Sequence, residues 1–260
     1  MEYVHTMYQG TVAYLTIDNP ASFNAVSAET AEQLGAALEK ASDDDSIRCV
    51  VIRGANHRFC GGGDVKAMKQ RIDRGRPDNR DGFRSFNRLI NAALNCSKPV
   101  VAWVEGACAG AGVSLAMACD LAVAEETCKF ALSFVNVGYV PDMGASTLLT
   151  RSVGKQRAAR MFLLAEPFSG KQAYEWGLIS HAVPAEEIET FVSKLVHKLA
   201  NGPTAAYRGT KKLINRSILY GMEISMQTEA EYQFNLSYSE DHINSVSAFL
   251  EKKKPVYTGK

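Results

Sequence analysis

Two glycine-rich stretches stand out for what bare backbone can do: Gly61-Gly62-Gly63-Asp64 and Gly106-Ala107-Cys108-Ala109-Gly110-Ala111-Gly112. Glycine lets a chain approach a ligand closely and turn through conformations closed to other residues. Each stretch follows a strand-like run and opens a helix-like one, so each can aim backbone N–H groups from a positive helix end. Two such amides converging on one oxygen would form an oxyanion hole without any charged side chain. Taken singly, each stretch is equally what a tight turn needs. Other chemistries lack their motifs. Gly106–Gly112 does not follow the order GxGxxG, no GxxxxGK[ST] occurs, and Ser114 in Gly112-Val113-Ser114-Leu115-Ala116 is not a GxSxG nucleophile. The five histidines are scattered, each reading as a surface or packed residue rather than a ligand. The six cysteines, Cys49, Cys60, Cys96, Cys108, Cys119 and Cys128, form no CxxC pair and no zinc-finger spacing with histidine. Neither a metal site nor a disulfide framework is expected.

The loops need a frame to hold them. Val12 to Ile17 is apolar and β-rich and closes on Asp18-Asn19-Pro20, a strand entering a turn. Ser27 then caps a helix with Ala31, Leu34, Leu38 and Ala41 on one face. Past Asp43-Asp44-Asp45, Cys49 to Ile52 reads as a buried strand, and the first glycine loop follows, leading into a second helix. Charge and Gly/Pro content rise from Asp73 to Gly82, which predicts a mobile surface loop. Phe83 to Leu94 reads as a helix and Pro99 to Val104 as a strand; the second glycine loop opens a small-residue helix, Val113 to Ala118, before a strand from Asp120 to Ala124. Strand, glycine loop and helix thus recur twice, which predicts a layered α/β architecture. After Gly144 the pattern is almost wholly helical, punctuated by Pro167, Pro184, Gly202-Pro203 and Gly221. The expected division is an α/β core over residues 1–200 and a helical region over 201–260. No fixed-period repeat interrupts it.

Bulk properties agree with an ordinary globular protein. With 260 residues, 46% apolar and 22% charged, the chain suits one large domain or a core with a subdomain, and disorder is excluded. The 29 basic against 28 acidic residues leave a net charge of +1, so no nucleic-acid or membrane partner is expected. Several cysteines sit in apolar runs such as Cys49-Val50-Val51-Ile52, where a thiol packs as a small hydrophobe in a reducing compartment. Met1 to Thr6 lacks the pattern of a signal peptide, and no apolar run is long enough to span a bilayer. A cytoplasmic location is expected.

An ordered set of motifs resembles the enoyl-CoA hydratase/isomerase (crotonase) superfamily over nearly the whole chain. Arg58-Phe59-Cys60-Gly61-Gly62-Gly63-Asp64-Val65 is similar to its FxxGxD segment. Glu105 to Gly112, closing with Ala118-Cys119-Asp120, is similar to its second glycine loop and helix. Asn19-Pro20 with Asn24-Ala25, Val137 to Pro141, Ala173 to Leu178 and Ser247 to Lys252 match in order. The resemblance implies a spiral of ββα units with a helical C-terminal trimerisation region, giving a homotrimer or dimer of trimers. It also implies an acyl-CoA thioester as ligand, the coenzyme A being part of the substrate, with no separate cofactor. Carried over, the oxyanion donors fall on Gly63 and Ala111. The family usually has glycine at the second position; a Cβ at positive φ would cost about 1 kcal/mol. The CoA channel is expected along Gly61, Gly62 and Asp64 with the Phe23-Asn24-Ala25 turn, and a C-terminal Phe/Lys pair matches Phe249 and Lys252. For Lys252 alone, a solvated basic tail with Lys253 and Lys254 is the simpler reading.

The acid/base group decides the reaction. Hydratases of the family use two glutamates, whose positions align here with Ser114 and Phe134, and neither residue is a base near neutral pH. Asp142, in Gly138-Tyr139-Val140-Pro141-Asp142-Met143-Gly144, reads from its neighbours as an N-cap for a helix from Ser146. By resemblance it is the base of enoyl-CoA isomerases and of the phenylacetate-pathway ring-epoxide isomerase, facing an acyl pocket expected to take in Gly110, Ser114, Phe134, Val137, Val140 and Met143. Apolar surroundings would raise its pKa and let it alternate between acid and base. The expected function is therefore an acyl-CoA thioester isomerase shifting a double bond by proton transfer, Δ3 to Δ2 in an enoyl-CoA or in a ring-type substrate, through an enolate held in the oxyanion hole. Dienoyl isomerisation, dehalogenase-like chemistry and a non-catalytic acyl-CoA-binding or RNA-binding relative are the alternatives. They are disfavoured in turn by the missing further acids, by the want of aromatic residues and a His beside the site, and by the retained loops and neutral charge.

Overall fold

The structure, a computed structural model, describes residues 1–77 and 80–260, and for Arg80 and Asp81 the backbone alone. Strands β1 (Val4–Gln9) and β2 (Val12–Ile17) form an antiparallel hairpin. Only Val4 of β1 is buried, which is why no apolar alternation announces that strand in the sequence. Helix α1 (Ala28–Asp43) starts where expected: the Ser27 hydroxyl accepts from Thr30 N–H at 3.2 Å. Then come β3 (Cys49–Gly54), α2 (Val65–Asp73) and α3 (Arg80–Asn95). The mobile loop expected from Asp73 to Gly82 is thus shortened at both ends, because Phe86, Leu89, Ile90 and Ala93 extend an apolar stripe on α3 that packs on α1. Asp78 and Asn79 of that expected loop lie outside the described residues.

Strand β4 (Val100–Val104) leads through β5 (Ala107–Ala109) into α4 (Ala111–Ala118), and β6 (Leu121–Glu125) through β7 (Lys129–Ala131) into α5 (Ala145–Val153) and α6 (Lys155–Leu164). Next are β8 (Phe168–Ser169), α7 (Gly170–Glu175), β9 (His181–Val183) and α8 (Ile188–Ala200). A main sheet of order β1-β2-β3-β4-β6-β9 is parallel from β2 onward, and β5-β7-β8 form a second sheet. The segments β4-β5-α4 and β6-β7-α5 each add one strand to the main sheet, one to the second sheet and a helix, and after β2 and β3 the second-layer position is marked by the isolated bridges of Val26 and Cys60, the expected spiral of ββα units. Strand β9 lies inside the stretch that reads as helical, too short to show a period.

The main sheet buries both faces. Leu15, Ile17, Val50, Ile52, Ala102 and Val104 face α1 and α3, while Val12, Val51, Val101 and Val123 face Val192 and Val196 of α8. Three helices complete the chain: α9 (Thr204–Ile218), α10 (Met222–Leu236) and α11 (Glu240–Leu250). Helix α9 is pinned to the core by buried Lys211, whose Nζ donates to Asp120 Oδ2 and to the Ala93 carbonyl, both at 2.8 Å. No helix among the described residues is long and apolar enough to cross a membrane.

Candidate active site

The two glycine loops lie against each other. Cys60 N–H donates to the Ala107 carbonyl at 3.1 Å and Ala109 N–H to the Cys60 carbonyl at 2.9 Å, a parallel bridge that sets the loops in register. A Cβ on Gly112 would stand 2.7 Å from Cys60 Cβ, so this approach requires glycine there. Gly62 (φ 104°) and Gly110 (φ 45°) take the backbone conformations that other residues resist. Ala111 therefore needs no positive φ: it is the first residue of α4, and the strain considered from sequence is absent. Among the described residues, neither Gly63 N–H nor Ala111 N–H donates to a partner in the chain.

A two-lobed cavity opens beside these amides. The smaller lobe, about 150 Å³, is lined by Gly61, Gly110, Phe134, Val137 and Phe249; the larger, about 270 Å³, by Val26, Phe83, Phe86, Glu29, Arg71 and Arg74. Gly63, Ala111, Asp142, Tyr139 and Met68 border both. The two glycine-loop positions and the carboxylate thus come together from three separate parts of the chain.

Asp142 is not the N-cap that its neighbours suggest. Helix α5 begins at Ala145, and the carboxylate at its start belongs to Glu229 of α10, which accepts from Gly144 N–H at 2.8 Å and Ser146 N–H at 3.0 Å. The Ser146 hydroxyl donates to it too. Among the described residues the Asp142 carboxyl takes one hydrogen bond, from Gln233 Nε2 to Oδ2 at 3.2 Å, while its Oδ1 is buried without a partner. Burial first, and then the charge of Glu229, push the Asp142 carboxyl up to about 8. Burial also raises Glu229 above the usual carboxylate range, against the opposing pull of its hydrogen bonds. Such a carboxyl exchanges a proton near neutral pH.

Other expected site residues fall at varying distances from this centre. Asp64 borders the larger lobe, but its side chain caps α2, accepting from Ala67 N–H at 3.0 Å, and takes a bond from the Ser22 hydroxyl. The Phe23-Asn24-Ala25 turn sits against the first loop, with Gly61 N–H donating to the Phe23 carbonyl at 2.8 Å. Phe23 is exposed beneath the Arg58 guanidinium, and Ala25 is buried. Asn24 is spent on the fold, donating to the Ala55 and Arg58 carbonyls and accepting from Asn19 N–H. Gly62 lies between the loop bonds and Lys252 on the surface, and neither borders the cavity.

Two expectations are corrected. Ser114 does not line the acyl cavity: fully buried on α4, it donates its hydroxyl to the Asp142 carbonyl at 3.1 Å. Val140 turns away to another cavity and offers only its carbonyl, to Gln233 Nε2 at 2.7 Å. Sequence reasoning missed Glu229, Gln233, Tyr139 and His242. On α10, Glu229 and Gln233 share one buried stripe with Met222 and Met226, a helical spacing that could have marked them as buried polar residues. Buried His242 stacks on the Tyr139 ring at 3.9 Å, with Nδ1 bonded to the Val137 carbonyl, and burial pushes its pKa down to about 4. A single local segment carries no sign of that stack.

Residues 7–260 match the family model described as enoyl-CoA hydratase/isomerase. The chain is 34% identical to 1,2-epoxyphenylacetyl-CoA isomerase of Escherichia coli K12, over 100% of both chains. It is 30% identical to trans-2-decenoyl-[acyl-carrier-protein] isomerase of Streptococcus mutans, covering 96% of this chain and 95% of that one. Among solved structures, an enoyl-CoA hydratase from Mycobacterium avium subsp. paratuberculosis superposes with a TM-score of 0.90 at 33% identity, covering 99% of each chain.

Proposed function

The chain belongs to the enoyl-CoA hydratase/isomerase family, and from that premise we propose that it shifts a double bond in an acyl-CoA thioester by proton transfer through Asp142. One observation carries this reading: a buried carboxyl with a free Oδ1 and a pKa near 8 borders the same cavity as the amides of Gly63 and Ala111. The thioester carbonyl oxygen sits between those amides. Ionised Asp142 removes a proton from C2 of a 3-enoyl-CoA, and the electron pair passes into a dienolate whose oxygen the two N–H groups stabilise. The carboxyl then returns the same proton at C4, leaving the 2-enoyl thioester and an ionised Asp142. One base suffices for the whole cycle.

Hydration needs a second group to hold and activate water. Among the described residues the smaller lobe holds no acidic side chain besides Asp142. Ser114 is occupied with the Asp142 carbonyl, and Phe134 cannot hold a water. A ring substrate would use the same three groups, with the ring in the lobe bordered by Phe83 and Phe86. We propose that the working unit is a trimer or paired trimers built through residues 201–260.

The test gives the protein 3-hexenoyl-CoA and, separately, crotonyl-CoA, and follows products by NMR. Isomerisation should dominate, and Asp142→Asn should lower its turnover by at least about 10²-fold while acyl-CoA binding persists. Hydration as the main activity, or a variant that isomerises at the wild-type rate, sinks the reading.

A further inference from the structure

The turn that carries Asp142 is closed from within by the bond from Ala145 N–H to the Asp142 carbonyl at 3.0 Å. Pro141 has no N–H to offer, and Met143 (φ 56°) and Gly144 (φ 75°) both lie in the left-handed region. For Met143 that conformation costs about 1 kcal/mol. The turn is held further by bonds from outside, and most come from α10. Glu229 takes the N–H groups of Gly144 and Ser146 beyond Asp142, and Gln233 donates to the Val140 carbonyl before it and to the carboxyl itself. Glu229 and Gln233 are four residues apart, neighbours on one helical face. Both are buried.

The Gln233 amide has a defined orientation. Its Nε2 faces two oxygens, the Val140 carbonyl at 2.7 Å and Asp142 Oδ2 at 3.2 Å. Turned over, its Oε1 would face the Val140 carbonyl, which can only accept. The N–H end therefore stays toward Asp142. A donated hydrogen bond stabilises the ionised carboxylate and fixes which oxygen remains open. Glu229 acts in the opposite sense, as a like charge beside it.

We propose that Gln233 and Glu229 are positioning residues for the reaction: Gln233 orients the Asp142 carboxyl, leaving Oδ1 for the substrate, and Glu229 fixes the turn beneath it. The proposal rests on the reading of Asp142 as the base. It makes helix α10, in the C-terminal helical region, part of the catalytic apparatus, although no atom of Glu229 need touch the substrate.

The experiment compares Gln233→Met, Glu229→Gln and Asp142→Asn with wild type. It reads kcat and KM on 3-hexenoyl-CoA, the acid limb of the kcat/KM profile against pH, thermal unfolding, and the infrared titration of the Asp142 carboxyl, identified by its loss in Asp142→Asn. Other charged groups facing Asp142 across the cavity are Arg71 of α2 and Arg74 just past its end, Asp64 at its start and Glu29 of α1, with His242 of α11 behind Tyr139. All are common to the proteins compared, so differences report on the pair.

Gln233→Met should fold, lose at least about tenfold in kcat with little change in KM, and move both the acid limb and the carboxyl titration to higher pH. Glu229→Gln should move them to lower pH. A purely structural role cannot produce opposite shifts. Wild-type kcat and an unmoved titration in Gln233→Met, or shifts of the same sign in both variants, overturn the proposal. An active Asp142→Asn overturns the base assignment instead, and the infrared titration still reads whether the pair acts on that carboxyl.

Discussion

At Asp142 burial works on the proton and on the fold together. With its carboxyl raised to about 8, the native state keeps a proton that the unfolded chain gives up near pH 4. Between those values the native state binds more protons, so this group's contribution to stability is full below about pH 4 and declines as pH rises toward about 8, flat beyond. Asparagine never ionises. Asp142→Asn should therefore gain stability relative to wild type as pH rises through that window, by at most about 1.4 kcal/mol per pH unit. Glu229 is raised too, but it is common to both proteins. Urea unfolding at about pH 5, about pH 7 and about pH 9 measures the difference; parallel curves would mean that the carboxyl is not buried uncharged. The same variant that is expected to lose turnover should be the more stable one at neutral pH, because the cost of burying an ionisable carboxyl is removed with it.

The elements around the site matter through how closely they approach. Loops 60–63 and 106–112 are set in register by the Cys60–Cys108 bridge, and α4 reaches that bridge only because Gly112 has no side chain. Gly112→Ala puts a Cβ against Cys60 Cβ at 2.7 Å and Sγ at 3.0 Å, and the loops must part. Overpacking of this kind costs about 1–3 kcal/mol, and the Gly63 and Ala111 amides separate with it. Turnover should fall by at least about tenfold, alongside a lower melting temperature. Wild-type turnover and melting together would show that the contact does not set the spacing of the amides. The loops themselves were legible, since a glycine run at a strand-to-helix join is a local pattern. Their pairing was not, because the bridge joins residues 48 positions apart that no local period relates.

Across the whole molecule, the helical C-terminal region has two faces with different fates. Met222, Met226, Glu229 and Gln233 turn inward beneath Asp142, and Lys211 ties α9 to the core. Leu213, Ile214, Ile218 and Ile224 stand outward, 71%, 51%, 45% and 72% exposed. Covering these side chains with other copies of the chain would remove apolar surface from water at little structural cost. Sedimentation at micromolar concentration should therefore give a particle about three or six times the 28.3 kDa chain. A single species at the mass of one chain counts against the assembly.

The α/β alternation, the Ser27 cap and the two glycine loops were determined by the sequence alone, since each rests on neighbours within a turn or two of chain. The carboxylate at residue 142 was visible in the same way, with its neighbours suggesting a helix cap and the family resemblance suggesting a base. Only the tertiary structure decided that it is not the cap. Glu229 arrives from 85 residues beyond Gly144 to take the cap, Gln233 arrives with it to hold one carboxyl oxygen, and packing buries the other. A cap is read from short-range spacing, whereas a proton affinity depends on which distant elements exclude water and bring charge. That is why the raised proton affinity of Asp142 emerges from the fold, while the loops that face it could be read from their glycines.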